Sequence, residues 1–284
     1  MNIFPFQALA CPLDGEPLHR VGASFVCASG HCFDVASQGY TNLLPVQKKR
    51  SLDPGDSKEM VAARRRFLNA GHYAPIAAAV ARATLADLPA VAVTTCLDAG
   101  CGEGYYLRQL AAAAEREGQT LALLGLDISK WAVLAAAKQD KLPTWVVGSN
   151  AALPVLPGTL DRVLCMFGFP VYAEFARVLA PGGLLLQVDS GSDHLRELRE
   201  IIYPSLKPPR EPDASSPEGF ARGKTECVQY SIEIAGVEPI ADLLAMTPHL
   251  YRASAEGRAR AAALTEITLT VDVRLTHFLR TAGR

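Results

Sequence analysis

The feature that most constrains the fold lies at residues 91–104, an apolar run that ends in one acid and three glycines. Residues 91–97 are short, β-branched and almost uncharged, which predicts a parallel strand buried on both faces. A helix is predicted over residues 105–115. Glycines in the turn between them permit unusual backbone angles and let a ligand approach the main chain. They are Gly100, Gly102 and Gly104. The stretch therefore predicts a site for a nucleotide-like ligand.

The spacing of the glycines distinguishes between two kinds of nucleotide site. A dinucleotide-binding turn has the pattern G-x-G-x-x-G, whose third glycine would fall at Tyr105. The sequence instead reads Asp-x-Gly-x-Gly-x-Gly from Asp98 to Gly104, which resembles motif I of the S-adenosylmethionine-dependent methyltransferases. The next predicted strand, residues 121–126, is followed by Asp127. A carboxylate at that place can accept hydrogen bonds from both hydroxyls of a ribose.

The rest of the chain continues the alternation of strands and helices. Strand signals recur at residues 145–148, 160–167 and 184–188, and two alternating segments near the C-terminus indicate an antiparallel edge. Repeated β–α units of this length predict a doubly wound sheet with right-handed crossovers. The predicted fold class is α/β, a Rossmann-like class I S-adenosylmethionine-dependent methyltransferase. Its mostly parallel sheet is predicted to have seven strands and to bind its ligand at their carboxyl ends.

Composition bounds the compartment and the partners. The chain has 284 residues, 49% of them hydrophobic, enough for a full core and a small additional domain. It has no stretch of transmembrane length and no signal-peptide pattern, so we expect a cytoplasmic protein with no membrane partner. Its 28 Lys and Arg balance 29 Asp and Glu, so overall charge indicates no polyanionic partner. Seven cysteines in such a chain favour thiols or metal ligands over disulfides.

A metal-like cluster occupies the first forty residues. Cys11 is followed by Asp14, and sixteen positions after Cys11 comes the pair Cys27-x₃-His31. So short a polar segment has little core of its own, and a bound zinc ion would stabilise it. Zinc knuckles usually pair ligands as Cys-x₂-Cys, and Asp14 stands where the second cysteine belongs. Cys32 is an alternative fourth ligand, although adjacent side chains rarely reach one ion. The competing interpretation is that the cysteines are buried thiols.

A local excess of basic residues follows the cluster. Residues 47–66 contain seven basic and three acidic residues, including the run Arg64, Arg65 and Arg66 on a predicted helix. Such an excess fits contact with a phosphate backbone, because each neutralised phosphate releases counterions. A solvated linker explains the same composition equally well.

Several short motifs together resemble a single family. They are Cys11-Pro12-Leu13, Cys27-x₃-His31, Phe33-Asp34, Gly39-Tyr40-x-Asn42-Leu43-Leu44-Pro45, Asp53-Pro54-Gly55-Asp56-Ser57, Ala70-Gly71-His72-Tyr73 and Gly102-Glu103-Gly104-Tyr105-Tyr106. In this combination the sequence is similar to the bacterial 23S rRNA guanine-N1 methyltransferases. The resemblance runs from the metal-like cluster to the last predicted strand and is densest in the first half.

The resemblance implies an activity, its partners and a domain order. A guanine in a hairpin loop of domain II of 23S rRNA would be methylated at N1, with S-adenosylmethionine as methyl donor. Residues 1–37 would form a zinc-knuckle-like RNA-binding domain, 38–70 a basic linker with a helical segment, and 71–284 the methyltransferase domain. Residues 45–51 look more like the housekeeping Gram-negative branch than the branch that confers resistance to macrolides such as tylosin. A homodimer is compatible with this interpretation.

The resemblance also implies which residues form the sites. The zinc ligands would be Cys11, Asp14, Cys27 and His31. Cofactor contacts would come from Tyr73, Asp98, Gly100, Gly102, Glu103, Gly104, Tyr105, Asp127, Asn150 and His194.

The acceptor site must supply a proton acceptor and a surface for the target base. N1 of guanine carries a proton at neutral pH, so a base must take that proton and the nucleotide must be unstacked. Glu103 and Asp189 are the candidate bases, and Phe169 and Tyr172 are the candidates for stacking on guanine.

Two other functions remain open at this point. A small-molecule methyltransferase would have the same fold, but it would have no use for the metal-like cluster and the basic stretch. A non-catalytic RNA-binding module is the second alternative, and the intact Asp98, the three glycines and Asp127 argue against it.

Overall fold

The computed structural model describes residues 2–46, 51, 53–88, 92–206, 215–247 and 253–282. The basic positions 48–50 and residues 207–214 lie outside the described residues. The N-terminal part contains five short strands: β1 (Ile3–Pro5), β2 (His19–Val21), β3 (Ser24–Val26), β4 (Cys32–Asp34) and β5 (Tyr40–Asn42). Two helices come next, α1 (Lys58–Asn69) and α2 (Ala74–Leu85).

The strands and helices of the predicted methyltransferase domain then alternate. They are β6 (Val93–Ala99), α3 (Tyr105–Arg116), β7 (Thr120–Asp127), α4 (Lys130–Gln139), β8 (Thr144–Val147), β9 (Leu160–Met166), α5 (Tyr172–Val178) and β10 (Leu179–Ser190). The C-terminal part adds α6 (Arg196–Ile202), β11 (Phe220–Ala235), α7 (Val237–Met246), α8 (Ala255–Ala262) and β12 (Glu266–Arg280). Among the described residues, no helix is long and apolar enough to cross a membrane.

The sheet has the class I methyltransferase order. Its strands run β11-β12-β10-β9-β6-β7-β8-β5, and β1 also pairs with β7. The pairs from β10 to β5 are parallel, whereas β12 is antiparallel to both β10 and β11. The predicted fold class is confirmed: β6 to β12 are the seven predicted strands, and β1 and β5 from the N-terminal segment bring the described sheet to nine. The two additional strands, β1 and β5, have three residues each, too few to give an alternation signal in the sequence.

The N-terminal segment joins this sheet through a strand near each of the segment's two ends. β1 lies parallel to the first half of β7, and β5 lies parallel to β8. Between them, β2, β3 and β4 form a separate antiparallel sheet. Cys11, Phe25 and Cys27 belong to the same buried cluster as residues of the central strands. The small three-stranded sheet and its loops therefore pack directly against one face of the large sheet, and the division of the chain at residues 37 and 70 stays a prediction.

The glycine turn is tight because α3 begins under a tryptophan. Gly104 caps the N-terminus of α3 with φ of 83°, in the left-handed region. A Cβ at this position would lie 2.6 Å from Cη2 of Trp145 on β8. No side chain fits there, so the third glycine of the motif is required for packing as well as for backbone conformation.

Candidate functional site

Asp98 lies at the carboxyl end of β6, directly before the glycine turn. Its side chain is fully buried, and neither carboxylate oxygen has a hydrogen-bond partner in the described part of the chain. Burial, and secondarily the nearby Asp127 carboxylate, raises the pKa of Asp98 to about 8. A buried carboxylate without donors is costly, which is typical of a group that meets its partner on a ligand.

Asp127 lies at the end of β7 and fixes the turn to that strand. Its Oδ2 accepts a hydrogen bond from the backbone N–H of Gly102 at 2.9 Å, and its Oδ1 accepts one from Ser129 N–H at 2.8 Å. Burial raises the pKa of Asp127, while these two donors act in the opposite direction. Each carboxylate oxygen retains acceptor capacity, so the residue can also accept two ribose hydroxyls.

Three aromatic rings close the next side of the site. Tyr73 precedes α2 and is buried, and its hydroxyl lies 3.2 Å from Nε2 of His194. The Nδ1 atom of His194 accepts from the backbone N–H of Asp272 at 3.3 Å, so the proton of the neutral ring lies on Nε2, toward Tyr73. Phe167 stacks near His194, with ring centroids 5.9 Å apart, and is 38% exposed. The structure thus brings the distant residues Tyr73 and His194 together.

Asn150 and Glu103 differ in what they offer to a cofactor. Asn150 Nδ2 donates to the carbonyl of Ala99 at 3.2 Å, and its Oδ1 is buried without a partner among the described residues. That free acceptor suits the amino group of an adenine. Glu103, in contrast, accepts from Arg108 Nη2 at 2.9 and 3.1 Å and from Gln139 Nε2 at 2.7 Å. These bonds occupy its carboxylate, so the geometry disfavours Glu103 as the proton acceptor.

Helix α1 covers the glycine turn. The loop before it docks on the end of β7, where Ser129 Oγ donates to the Asp56 carbonyl at 2.7 Å. Gly55, with φ of 85°, approaches so closely that a Cβ would lie 2.9 Å from side-chain atoms of Ile128 and Ser129. Arg64 pairs with the Asp56 carboxylate at 2.6 Å, and its Cδ lies 3.8 Å from the Cβ position of Gly102. This docking makes Arg64 part of the wall of the cavity over the glycine turn.

The arginine run on α1 therefore does not form one RNA-facing surface. Arg64 Nη2 donates to the Met246 carbonyl of α7 at 3.1 Å, and Arg66 pairs with Asp242 of the same helix. In the described residues only Arg65 of the three is exposed without such a contact. Because Arg64 and Arg66 hold α1 in place, the geometry favours Arg65 over these two for contact with phosphates, and RNA binding by the arginine run stays a prediction.

The residues of this site fit S-adenosylmethionine, although the covering elements must move to admit it. The cavity over the turn is about 60 Å³, lined by Arg64, Tyr73, Gly100, Gly102 and Phe167 among others. That is room for only a few water molecules. The unpartnered atoms of Asp98 and Asn150 and the open space at the Cβ position of Gly100 all match a nucleoside with a charged tail.

A much larger cavity lies beside the loop that follows β9. Its volume is about 970 Å³, and Asp189, Arg274 and Tyr172 are among the residues that line it. Asp189 is the cross-strand neighbour of Arg274 on β12. Gln187 connects two of the predicted residues, since its Nε2 donates to Asp189 Oδ2 at 2.7 Å and its Oε1 accepts from the Tyr172 hydroxyl at 2.8 Å. The arrangement fixes the Asp189 carboxylate at the cavity wall.

The two predicted stacking residues have different environments. The Tyr172 ring packs edge-on against Phe220 and Phe278, with centroids 6.3 and 6.1 Å away, so it forms part of the cavity wall. Phe169 is 88% exposed in the loop between β9 and α5. Of the two, Phe169 has the accessible face that stacking on a base requires.

The predicted metal ligands form one cluster. Ligand atoms of Cys11, Asp14, Cys27 and His31 all lie within 4.8 Å of one another. His31 Nδ1 is 3.5 Å from Cys11 Sγ, 3.4 Å from Cys27 Sγ and 2.9 Å from Asp14 Oδ2. Tetrahedral zinc bonds of about 2.0–2.3 Å place neighbouring ligands roughly 3.3–3.8 Å apart, so the cluster is compatible with zinc.

The cluster favours Asp14 over Cys32 as the fourth ligand. The backbone N–H of Glu16 donates to Asp14 Oδ1 at 3.0 Å, which leaves Oδ2 toward the other three side chains. Cys32 is exposed on β4 and is not a member of the cluster, so the ligand set with Asp14 stays the prediction that the geometry supports. Burial, with the Asp14 carboxylate beside it, raises the pKa of Cys11 to about 11. Metal binding would therefore release a thiol proton.

Sequence reasoning missed four residues that complete these sites. They are Asp56, Arg64, Gln187 and Arg274. The run Asp53-Pro54-Gly55-Asp56-Ser57 was a signal for the first two, because a turn of that type directly before a helix fixes where the helix docks. Nothing local distinguishes Gln187 or Arg274 from ordinary strand residues.

Comparison with known proteins gives matches for both parts of the chain. Residues 9–52 match a zinc-ribbon family model described as "RlmA, N-terminal", and residues 96–183 match a model described as "Methyltransferase domain". A Micromonospora griseorubida protein named putative 23S rRNA (guanine-N(1)-)-methyltransferase is 33% identical, over 95% of this chain and 96% of its own length.

Two further relatives carry similar names. The putative 23S rRNA (guanine-N(1)-)-methyltransferase YxjB of Bacillus subtilis is 30% identical, over 94% of this chain and 95% of its own length. The 23S rRNA (guanine(748)-N(1))-methyltransferase of Streptomyces fradiae is 38% identical, over 68% of this chain and 67% of its own length.

Proposed function

The chain belongs to the 23S rRNA (guanine-N1)-methyltransferase family, and from this premise we propose that it methylates N1 of one guanine in a hairpin loop of domain II of 23S rRNA. The observation that carries the proposal is the coverage of the match. Zinc ribbon, α1 and methyltransferase domain all fall within the 94–95% of this chain that aligns with relatives named for this activity. A methyltransferase for small molecules would give no reason for the ribbon.

Asp189 is the residue that we propose accepts the N1 proton. S-adenosylmethionine, when bound at the glycine turn, supplies an electrophilic methyl group on a sulfonium centre. The N1 nitrogen must lose its proton before or during attack, and Asp189 lies at the wall of the large cavity with its carboxylate oriented by Gln187. Its cross-strand neighbour Arg274 can donate to O6 of the guanine, where negative charge accumulates as the proton leaves.

Phe169 is the residue that we propose stacks on the target base or its neighbour. It follows β9, the strand next to β6, and so lies at the same carboxyl edge of the sheet as the glycine turn. A base must be unstacked from the RNA before its Watson–Crick edge is accessible, and an exposed ring compensates part of that cost. Tyr172 supports this site through Gln187 rather than through stacking.

Other features of the proposal concern partners and setting. The zinc ribbon would contact the RNA beside the hairpin, and the protein would act in the cytoplasm, where rRNA is made. Membership of the housekeeping branch and a homodimer stay predictions. The Streptomyces fradiae relative is named for guanine 748, so that position is the first to examine in the substrate of this protein.

The test uses the purified full-length protein and unmodified 23S rRNA with S-adenosylmethionine. Methylation at N1 removes the central Watson–Crick donor, so reverse transcriptase should stop one nucleotide before the modified base. Digestion to nucleosides and mass spectrometry should then identify 1-methylguanosine. A matched RNA with adenine at the stop position is the control and should accept no methyl group.

Two results would contradict the proposal. Methyl incorporation without a new stop in domain II would move the modification elsewhere in the RNA. No incorporation into rRNA, together with intact cofactor binding, would favour a small-molecule acceptor. Loss of incorporation in Asp189→Asn, with cofactor affinity unchanged, would support the assignment of the proton acceptor.

A further inference from the structure

Two side chains with unpartnered polar atoms, the Arg64 guanidinium and the Asp98 carboxyl group, lie at the glycine turn. Arg64 Nε and both carboxylate oxygens of Asp98 are buried and have no hydrogen-bond partner among the described residues. Arg64 lines the cavity over the turn together with Gly100 and Gly102, and Asp98 precedes Gly100 by two residues at the end of β6. Leaving such atoms unpaired in the interior destabilises the folded protein, so each is expected to have a partner in the functional state.

The pair of charges matches one kind of ligand group. An α-amino acid carries a carboxylate and an ammonium on the same carbon, the complement of a guanidinium that lines the cavity over the glycine turn and a carboxylate at the start of that turn. We propose that Arg64 binds the carboxylate of the methionine moiety of S-adenosylmethionine and that Asp98 binds its ammonium group. This proposal rests on the methyltransferase domain and not on the identity of the methyl acceptor.

Arg64 is suited to this role by what already holds it. The Asp56 carboxylate and the Met246 carbonyl both contact Nη2, whereas Nε has no partner among the described residues. A guanidinium can donate from Nε and a neighbouring Nη to both oxygens of a carboxylate, in a geometry that lysine cannot reproduce. Of the described residues that line the cavity, Arg64 alone carries a positive charge.

The proposal assigns α1 to the cofactor site. This helix lies between the two segments that match family models, residues 9–52 and 96–183. Its contacts with Met246 and Asp242 of α7 hold it over the turn, and the cavity beneath it is only about 60 Å³. A cofactor that enters must therefore displace this cover, and its carboxylate would take over the Arg64 contact made by Met246 or Asp56.

The test is calorimetric binding of three ligands that differ only in the amino acid part. S-adenosylhomocysteine has both charged groups, S-adenosyl-3-thiopropylamine lacks the carboxylate, and 5′-methylthioadenosine lacks both. The full-length variants are Arg64→Gln, Asp98→Asn and, as the matched control on the exposed face of the same helix, Arg65→Gln. Thermal unfolding of each ligand-free variant checks that it is folded.

We expect Arg64→Gln to lower the affinity for S-adenosylhomocysteine by at least about tenfold and the affinity for the other two ligands by less than about twofold. Asp98→Asn should lower the affinity for the two ligands that have the ammonium group and leave the affinity for 5′-methylthioadenosine unchanged. Arg65→Gln should change none of them. Arg64→Lys keeps the positive charge but cannot donate two parallel hydrogen bonds. Its affinity for S-adenosylhomocysteine should lie between those of the parent and Arg64→Gln, and its affinity for the other two ligands should be that of the parent.

Two outcomes would overturn the proposal. Equal weakening of all three ligands by Arg64→Gln would show that the residue only holds α1 in place, and unchanged affinity for S-adenosylhomocysteine would show that it holds no carboxylate. If Arg64→Gln does not fold, Arg64→Lys decides between the same alternatives. None of these measurements uses RNA, so failure of the rRNA assignment would leave them unaffected.

Discussion

Arg66 and Asp242 join α1 to α7 through two parallel hydrogen bonds. Arg66 Nε donates to Asp242 Oδ2 at 2.8 Å and Nη2 donates to Oδ1 at 2.5 Å. The residues are 176 positions apart, so the pair closes the N-terminal helix of the catalytic unit onto its C-terminal part. Residues of both helices line the cavity over the glycine turn, so we expect this pair to limit how far the helices separate and thus access to the turn.

Replacing Arg66 by glutamine should loosen α1 with little loss of global stability. The Arg66 side chain is 60% exposed, so solvent screens the pair and we expect the free energy of unfolding to fall by less than about 1 kcal/mol. Hydrogen exchange should nevertheless become faster in α1 and α7. Arg65→Gln is the control and should leave exchange unchanged. Equal exchange in both variants would mean that apolar packing alone holds the helices together.

Replacing Asp14 by cysteine should make the ribbon hold zinc more tightly. A thiolate is a softer ligand than a carboxylate, and Asp14 Oδ2 already points at the other three ligands. The measurement is zinc transfer to a chromogenic chelator, which should be slower for Asp14→Cys than for the parent. Cys32→Ser should behave as the parent, because Cys32 lies outside the cluster, and Cys27→Ser should lose the metal. If the parent resisted the chelator as strongly as Asp14→Cys, the carboxylate would not be the weak ligand.

Affinity for S-adenosylhomocysteine should rise with pH below about 8. Burial raises the pKa of Asp98 to about 8, so its carboxyl is protonated at neutral pH in the ligand-free protein. An ammonium partner needs the ionised form, so binding should release a proton below that pH. Calorimetry at pH 6, 7 and 8 in buffers of different ionisation enthalpy measures this release. Asp98→Asn should release no proton at this site, and a parent protein that releases none would contradict the pairing.

The same shift has a defined effect on stability. A folded-state pKa above the unfolded value of about 3.9 means that the folded protein binds the Asp98 proton more tightly. The resulting stabilisation is fully present below pH 4 and is lost as the pH rises toward 8. The loss should be smaller in Asp98→Asn, which cannot ionise.

Replacing Phe169 by alanine should weaken RNA binding without changing cofactor affinity. The ring is 88% exposed, and a base stacked on an aromatic side chain contributes about 1–3 kcal/mol, a loss of roughly five- to 150-fold. Fluorescence anisotropy with a labelled domain II hairpin measures the effect. Leu279→Ala, another exposed apolar residue but on β12, is the control and should have no effect. Equal losses in the two variants would place the RNA on a different surface.

Local sequence determined the parts of the sites that lie within one turn. Asp98, the three glycines and Asp127 follow the ends of two strands, and parallel strands bring such ends to one edge of the sheet. The spacing from Cys11 to His31, with the family resemblance, likewise predicted four metal ligands, and their ligand atoms lie within 4.8 Å of one another. The fold class followed from the alternation of apolar strands and helices.

Tertiary structure decided the contacts between segments that are far apart in the chain. Arg64 belonged to a basic run by composition, yet its contact with Met246, 182 residues away, holds it at the cavity over the glycine turn. Glu103 belonged to the cofactor motif, yet Gln139 and Arg108 occupy its carboxylate. The strands β1 and β5 were too short to recognise until the edge of the sheet was there to pair with them. In each case the sequence gives the side chain its chemistry, but the docking of a distant element decides which partner that chemistry meets.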